Sequence, residues 1–369
     1  MKPISLYLHI PFCVQRCGYC NFFSTTRTEQ CGNYIAALGR AIATAPLDNR
    51  EAVTLYFGGG TPSLLGEGLL TLLTAIRSRL PIAADAEITL EANPATIDLP
   101  TLRKLREGGF NRISFGLQSD DDDSLKKLGR LHSAEQGRQS VALARQAGFT
   151  NISIDLMLGT PEQDMERAVA LCKRAVELSP EHISAYLLKV EPDTPFGRKH
   201  MERFCADGDA AADLYLAACA VLEGSGYHHY EVSNFAKNGC ESRHNNAYWK
   251  LTDYLGIGPS AYSFMDGRRF YFPSDLDAFT TAEDVWQSVV DDGTGGGVDE
   301  YVMLALRLAE GLSLPTLRQR YGIDTAPMEQ RAALLQKQGL LVMTDERIIL
   351  TDSGFLVSNS VINYLSEGI

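Results

Sequence analysis

The chain has 369 residues, 45% of them hydrophobic and 22% charged, an ordinary globular composition with length for one large domain and an appendage or for two to three domains. Its 34 lysines and arginines stand against 46 aspartates and glutamates, and the net charge of −12 argues against a nucleic-acid scaffold, because binding phosphate requires basic surface. No apolar run reaches the roughly eighteen residues a bilayer demands, no apolar leader opens the chain, and Cys31, Cys172, Cys205, Cys219 and Cys240 are scattered without framework spacing, so the expected setting is a reducing cytoplasm.

The first predicted element is a strand over Ser5–Ile10, where Leu6, Leu8 and Ile10 alternate with polar or aromatic neighbours. Pro11 ends it and throws Cys13, Cys17 and Cys20 onto a loop. Three thiols within eight residues suit a [4Fe–4S] cluster, which normally takes four thiolates and here keeps one iron open to an amine and carboxylate ligand. A zinc ion with His9 as fourth ligand, or plain reduced thiols, are the competing readings, although zinc sites usually present two separated pairs.

Five more strands follow, each leading into a turn and a helical stretch. Val53–Phe57 runs into Gly58-Gly59-Gly60-Thr61-Pro62 and a helix near Glu67–Leu80, and Glu87–Leu90 runs into Glu91-Ala92-Asn93-Pro94 and a helix from Pro100 to the Gly108-Gly109 stop. Arg112–Gly116 ends in Leu117-Gln118-Ser119, Ile152–Leu158 in Gly159-Thr160-Pro161, and His182–Leu187 near Lys189 and Glu191. Strands alternating with helices imply a parallel sheet, and in every unit the polar and glycine residues gather after the strand, where a (β/α) barrel keeps its site. Six units rather than eight predict a partial, open (β/α)6 barrel, which is the fold class expected for residues 1–235.

Residues 236–298 read as a connecting segment, with the glycine-rich stretch 291–297 as a flexible link. From 299 to 369 three amphipathic helices are predicted over Tyr301–Leu308, Leu314–Tyr321 and Ala326–Gln338, followed by a hairpin around Thr344-Asp345-Glu346. That order resembles a winged helix. Its usual partner is DNA, but the surrounding acidity favours a packing or substrate-covering module.

Several polar residues stand out against their surroundings. The glycines at 58–60 let backbone approach a ligand closely, and no Lys-Ser/Thr follows as a phosphate loop would require. Glu91, Gln118 and Asp155 follow or interrupt apolar strands, and Asp155 in particular must be paired or bonded if buried. With Arg130 they offer a cation for a carboxylate, acceptors for ribose hydroxyls and a backbone shelf.

The cysteine spacing resembles the signature of radical S-adenosylmethionine (SAM) proteins. Together with Leu6-Tyr7-Leu8-His9-Ile10-Pro11-Phe12, Gly-Gly-Gly-Thr-Pro, Glu-Ala-Asn-Pro, Ser-Phe-Gly-Leu-Gln-Ser and Tyr230-Glu231-Val232-Ser233-Asn234-Phe235-Ala236, it is similar to the oxygen-independent coproporphyrinogen III dehydrogenase-like family along essentially the whole chain. The resemblance implies that Cys13, Cys17 and Cys20 hold the cluster and that its electron cleaves SAM to a 5′-deoxyadenosyl radical. It further implies that Tyr7 lies near cluster and SAM, that Gly59, Gly60 and Thr61 meet the methionine part, that Tyr19 contacts the adenine side, and that Glu91, Gln118, Arg130 and Asp155 line the SAM site. Two departures set the chain apart from the dehydrogenases: Phe22 stands where they carry a further cysteine, and only twelve residues precede Cys13, where they carry a long extension.

Arg243-His244-Asn245-Asn246-Ala247-Tyr248-Trp249 instead matches the His-Asn-x-x-Tyr-Trp motif of the HemW branch, the haem chaperones. This implies haem as a further cofactor, haem-requiring acceptor proteins as partners, membrane-bound respiratory enzymes among them, and leaves a homodimer open. His244 is the candidate axial ligand, against the alternative of a histidine satisfied within its own loop beside core aromatics. A coproporphyrinogen dehydrogenase and a radical SAM haem-modifying methyltransferase are the rival functions.

Overall fold

The alternating run near the N-terminus forms strand β1 (Lys2–Ile10) in the computed structural model, which describes residues 1–368. Leu6, Leu8 and Ile10 are buried on one face while Ser5 and His9 are buried on the other. Such two-sided burial is what a parallel sheet covered by helices produces. Strands β2 (Arg50–Gly59), β3 (Ile82–Ala92), β4 (Arg112–Gln118), β5 (Asn151–Leu158) and β6 (His182–Leu187) add in parallel, each beside its predecessor. All six predicted strands are present.

Helices α1 (Cys31–Ala43), α2 (Gly68–Arg79), α3 (Leu99–Gly108), α4 (Asp122–Leu128), α5 (Ala134–Gln146) and α6 (Met165–Glu177) fill the crossovers, and α7 (Pro195–Arg198) and α8 (Gly208–Gly224) follow β6. Their ends are written locally. Asp98 accepts from the Thr101 amide to start α3, and Gly109, at φ +117°, ends it in a conformation that costs glycine little. Ser133 and Gln136 close a reciprocal capping box at the start of α5.

The sheet stays open, and both edges are extended. β7 (His228–Glu231) and β8 (Asn234–Ala236) form a hairpin against β6, while β9 (Tyr254–Ile257) pairs in parallel with β1 and leads to antiparallel β10 (Tyr262–Met265), β11 (Arg268–Tyr271) and β12 (Val290–Thr294). The twelve strands run β12-β11-β10-β9-β1-β2-β3-β4-β5-β6-β8-β7. Residues 236–298 are therefore more than a connection, since they supply four strands together with α9 (Arg243–Trp249) and α10 (Leu276–Thr281). The expected flexible link at 291–297 is corrected in part: Val290–Thr294 is an edge strand hydrogen-bonded to β11. Its five exposed residues carry no alternation, because the partner backbone, and not a buried face, holds it in place.

The C-terminal module has the order of a winged helix: α11 (Val298–Ala305), β13 (Leu312–Ser313), α12 (Leu314–Tyr321), α13 (Ala326–Lys337), then β14 (Leu341–Met343) and β15 (Arg347–Leu350). α14 (Asp352–Leu356) and α15 (Ser358–Leu365), which the sequence reading did not anticipate, close its core with Phe355, Val361, Ile362 and Leu365. Backbone bonds from Val232 N to Arg307 O (3.0 Å) and from Ala309 N to Tyr230 O (3.0 Å) seat the module on the β7–β8 edge. No helix among the described residues is long and apolar enough to cross a membrane.

Candidate functional site

The cysteine loop is tied down at both ends and in the middle. Thr25 N donates to Pro11 O (2.7 Å) and Cys13 N to Thr25 O (2.9 Å), while Gly18 N donates to Leu128 O (3.2 Å) and receives Phe196 N on its own carbonyl (2.9 Å). Cys13, Cys17 and Cys20 are each half-buried and line one cavity of about 360 Å³ at the C-terminal ends of β2 to β6. Tyr19, Gly59, Gly60, Glu91, Gln118, Arg130 and Asp155 line it too, so nine of the positions singled out by sequence meet there with Cys13.

The donor arrangement bears on the choice between cluster and zinc. Ligand atoms around one tetrahedral zinc sit roughly 3–4 Å apart, given bonds of about 2.0–2.3 Å. Among the described residues only Cys219, His229 and Asp352 hold ligand atoms all within 4.8 Å of one another, so the loop thiols are spread more widely than one ion needs. His9 is no fourth ligand either. Its Nε2 faces Phe23 O (2.9 Å), its Nδ1 faces Tyr7 Oη (3.0 Å), and burial pulls its pKa down to about 4.

The shelf beside the thiols requires glycine. A Cβ on Gly60 would lie 2.8 Å from Phe12 O and 3.0 Å from Cys13 Sγ. Gly59, at φ +118°, turns its amide onto Glu91 Oε2 (3.0 Å), and Tyr56 Oη donates to Glu91 Oε1 (2.7 Å). Burial outweighs those bonds and lifts the Glu91 carboxyl to about 7. Asp155 is also raised by burial, with Ser114 Oγ donating to it (3.3 Å).

Arg130 donates to Asn93 Oδ1 and Gly116 O (both 2.6 Å) and reaches toward Cys17 Sγ (3.6 Å). Its Nε has no partner, and neither does Gln118 Oε1, whose residue sits at φ +66° on a bulge of β4. Arg130 and Gln118 line one cavity with the two carboxyls, and a cation, an amide and two acids around one space fit an amino-acid ligand bearing hydroxyls. The residues present thus fit both a cluster and SAM.

Three positions fall elsewhere than expected. Tyr7 stands behind Tyr56, outside the cavity lining, with its hydroxyl on His9. Thr61 faces the other side of the loop, donating to Cys13 Sγ (3.5 Å) and accepting from Asn93 Nδ2 (2.7 Å). His244 is not presented as a metal ligand. It is 1% exposed, its Nδ1 bonds Thr54 Oγ1 and its Nε2 bonds Tyr248 Oη (both 2.7 Å), and its ring stacks on Tyr56 at 4.9 Å. Helix α9 carries the whole motif across the N-terminal mouth of the barrel, where Glu87 accepts the Arg243 and His244 amides (3.2 and 3.0 Å). The aromatic motif is the barrel's floor, and there both ring nitrogens of His244 are hydrogen-bonded internally.

Sequence reasoning missed the polar ladder lining the cavity: Arg112 and Ser114 of β4, Ser153 of β5, His182 and Ser184 of β6. The signal was period two, since 112, 114, 116 and 118, then 153, 155 and 157, then 182, 184 and 186 all face inward. Arg112 is the unusual member. It is 2% exposed, its Nε lacks a partner, and its nearest acid is Glu87 at 4.0 Å.

Residues 7–175 match the radical SAM superfamily, and residues 298–357 match the HemN C-terminal domain. The chain is 41% identical to the heme chaperone HemW of Escherichia coli K12 over 278 residues, 73% of this chain and 72% of that protein. It is 31% identical to HemW of Haemophilus influenzae over 385 residues, covering 100% and 99%, and 33% identical to HemW of Bacillus subtilis, covering 97% of each. Among solved structures, the radical SAM enzyme coproporphyrinogen III oxidase (HemN) of E. coli superposes with a TM-score of 0.85 at 26% identity, over 100% of this chain and 91% of that one.

Proposed function

The chain belongs to the HemW family of radical SAM proteins, and from that premise we propose that it is a haem chaperone, binding haem and handing it to proteins that require it. End-to-end similarity to relatives named heme chaperones carries the reading. The surface supports it. Phe22, at the cavity mouth, is 67% exposed, and Val14 and Leu131, beside Cys17 on the other side of the loop, are 58% and 63% exposed. Exposed apolar side chains around a cofactor loop suit a flat apolar macrocycle, which would remove them from water. The axial ligand is some group other than His244. Acceptors would include membrane-bound respiratory enzymes, and the setting would be the cytoplasm.

Within this proposal Cys13, Cys17 and Cys20 hold the cluster. Arg130 neutralises the methionine carboxylate, Glu91 and Asp155 accept from hydroxyl and amine groups, and Tyr19 flanks the adenine. When bound, the cluster supplies a single electron to SAM. The chain's own part is to orient the ligand on the Gly59–Gly60 shelf and to keep water out.

One observation favours an enzyme instead. Arg112 is a buried cation with a free N–H below the SAM site, and a carboxylate-bearing substrate would satisfy it. The two readings separate in one sample. Anaerobically reconstituted protein is titrated with haem, mixed with an apo-haem protein, and incubated with coproporphyrinogen III, SAM and reductant. The expected result is about one haem per chain, transfer to the acceptor and no protoporphyrinogen IX. Robust decarboxylation would overturn the chaperone reading, and SAM-dependent consumption of haem would replace it with a methyltransferase.

A further inference from the structure

At the opposite side of the barrel from the cysteine loop, three elements distant in sequence converge. Cys219 comes from α8, His229 from the sheet-edge strand β7 and Asp352 from the start of α14. Their ligand atoms all lie within 4.8 Å of one another, with Cys219 and His229 buried and Asp352 half-buried. Thiol, imidazole and carboxylate are the three side-chain types that bind zinc.

The hydrogen bonds around His229 point the same way. Tyr215 Oη donates its only proton to Val232 O (2.8 Å), so it can only accept from His229 Nε2–H (3.3 Å). In neutral imidazole that leaves the Nδ1 lone pair aimed at Asp352 Oδ1, 2.9 Å away. Two acceptors facing each other at that distance need a positive charge between or beside them. No lysine or arginine supplies one: among the described residues Asp352 makes its only ion pair with His229, and Glu223, one turn along α8 from Cys219, makes none. The imidazole is also fixed in orientation, stacked on Phe235 at 4.3 Å and packed against Phe355. An Nε2–H held by a hydroxyl, with the Nδ1 lone pair turned to a second candidate ligand, is the outer-shell arrangement that orients metal-bound histidines.

We propose that Cys219, His229 and Asp352 form a structural zinc site that clamps the C-terminal module to the edge of the barrel sheet. Zinc would bind the Cys219 thiolate, whose proton is released to solvent, His229 Nδ1 and one Asp352 oxygen. Solvent reaching Asp352, or Glu223, completes the tetrahedron. The site is independent of the cysteine loop and of the haem reading.

The test uses full-length, cluster-loaded protein incubated with zinc chloride and desalted, its metal content measured by mass spectrometry and its zinc environment by X-ray absorption at the zinc edge, where iron does not interfere. The expected outcome is about one zinc per chain with one sulfur near 2.3 Å and nitrogen or oxygen near 2.0–2.2 Å. Cys219→Ser and Asp352→Asn should lose the zinc, keep their iron and melt at a lower temperature than wild type with zinc, but match metal-free wild type. If Cys219→Ser fails to fold, the milder Asp352→Asn alone decides the point. No zinc above background in wild type overturns the proposal in favour of a proton shared by His229 and Asp352. A three-sulfur zinc shell overturns it too, since that zinc would sit on the cysteine loop.

Discussion

At the scale of single residues, burial sets the chemistry of the cavity. Arg130 lines the site with its Nε unpartnered, while Asn93 and Gly116 hold the end of its guanidinium. A charge-assisted bond of this kind contributes roughly 1.5–3 kcal/mol, so Arg130→Ala should weaken SAM binding by roughly 10- to 150-fold in calorimetry, with iron content unchanged. Wild-type affinity in that variant would reduce Arg130 to a loop brace. Glu91 makes a second prediction. Its carboxyl is raised to about 7 from an ordinary 4.5, so between those values the folded state holds a proton that the unfolded state has lost. Stability must then fall as pH rises through that window, and the fall should be missing from Glu91→Gln when melting temperatures are compared at pH 5 and pH 7.5.

At the scale of elements, α9 is the case where a motif's chemistry and its placement part company. His244 carries both ring nitrogens into hydrogen bonds and its pKa is driven down to about 3, chiefly by burial and then by the nearby Arg112 charge. The unfolded chain therefore binds more protons than the folded one between about 3 and 6.5, and this histidine's contribution is lost as pH is lowered through that range. His244→Ala should destabilise the protein by roughly 2–4 kcal/mol, through the cavity and the orphaned Thr54 and Tyr248 hydroxyls. The Soret spectrum of its haem complex should match wild type. A shifted Soret band without loss of stability would return His244 to the ligand's role. The neighbouring shelf shows the opposite case, where local chemistry was sufficient: a side chain on Gly60 would collide with Phe12 O and Cys13 Sγ, and one on Gly59 with the His9 ring.

At the scale of the whole molecule, the winged-helix order of the C-terminal module invites a DNA partner that its charges refuse. Arg318 is paired with Glu329 (2.5 Å), Arg347 with Glu310 (3.1 Å), and Arg331 donates to Leu365 O (2.8 Å), so these arginines are committed within the module. Set on a chain of net charge −12, the module should not retard duplex DNA at about 150 mM salt, where counterion release needs unpaired cations. Retardation that weakens steeply with salt would show a basic surface these pairings do not suggest. Module and barrel instead meet at the β7–β8 edge, through backbone bonds and the His229–Asp352 contact.

The sequence by itself determined the elements and the cofactor loop. Six parallel strands, their turns and the three cysteines on one loop are set by periodicities and short-range chemistry that act within a few residues, and these elements are found where expected. Tertiary structure alone decided which polar residues share a space. Arg112, Ser153 and His182 are separated by tens of residues and become one wall because parallel strands align them, and no local pattern distinguishes an inward ladder from an outward one. It also decided the edges of the sheet, where the exposed strand β12 owes its form to the backbone of β11 and not to its own side chains. For His244 it decided the surroundings, because whether a histidine's nitrogens face open space or a hydroxyl depends on packing, and only the packing of α9 under β2 brings Thr54 and Tyr248 to them.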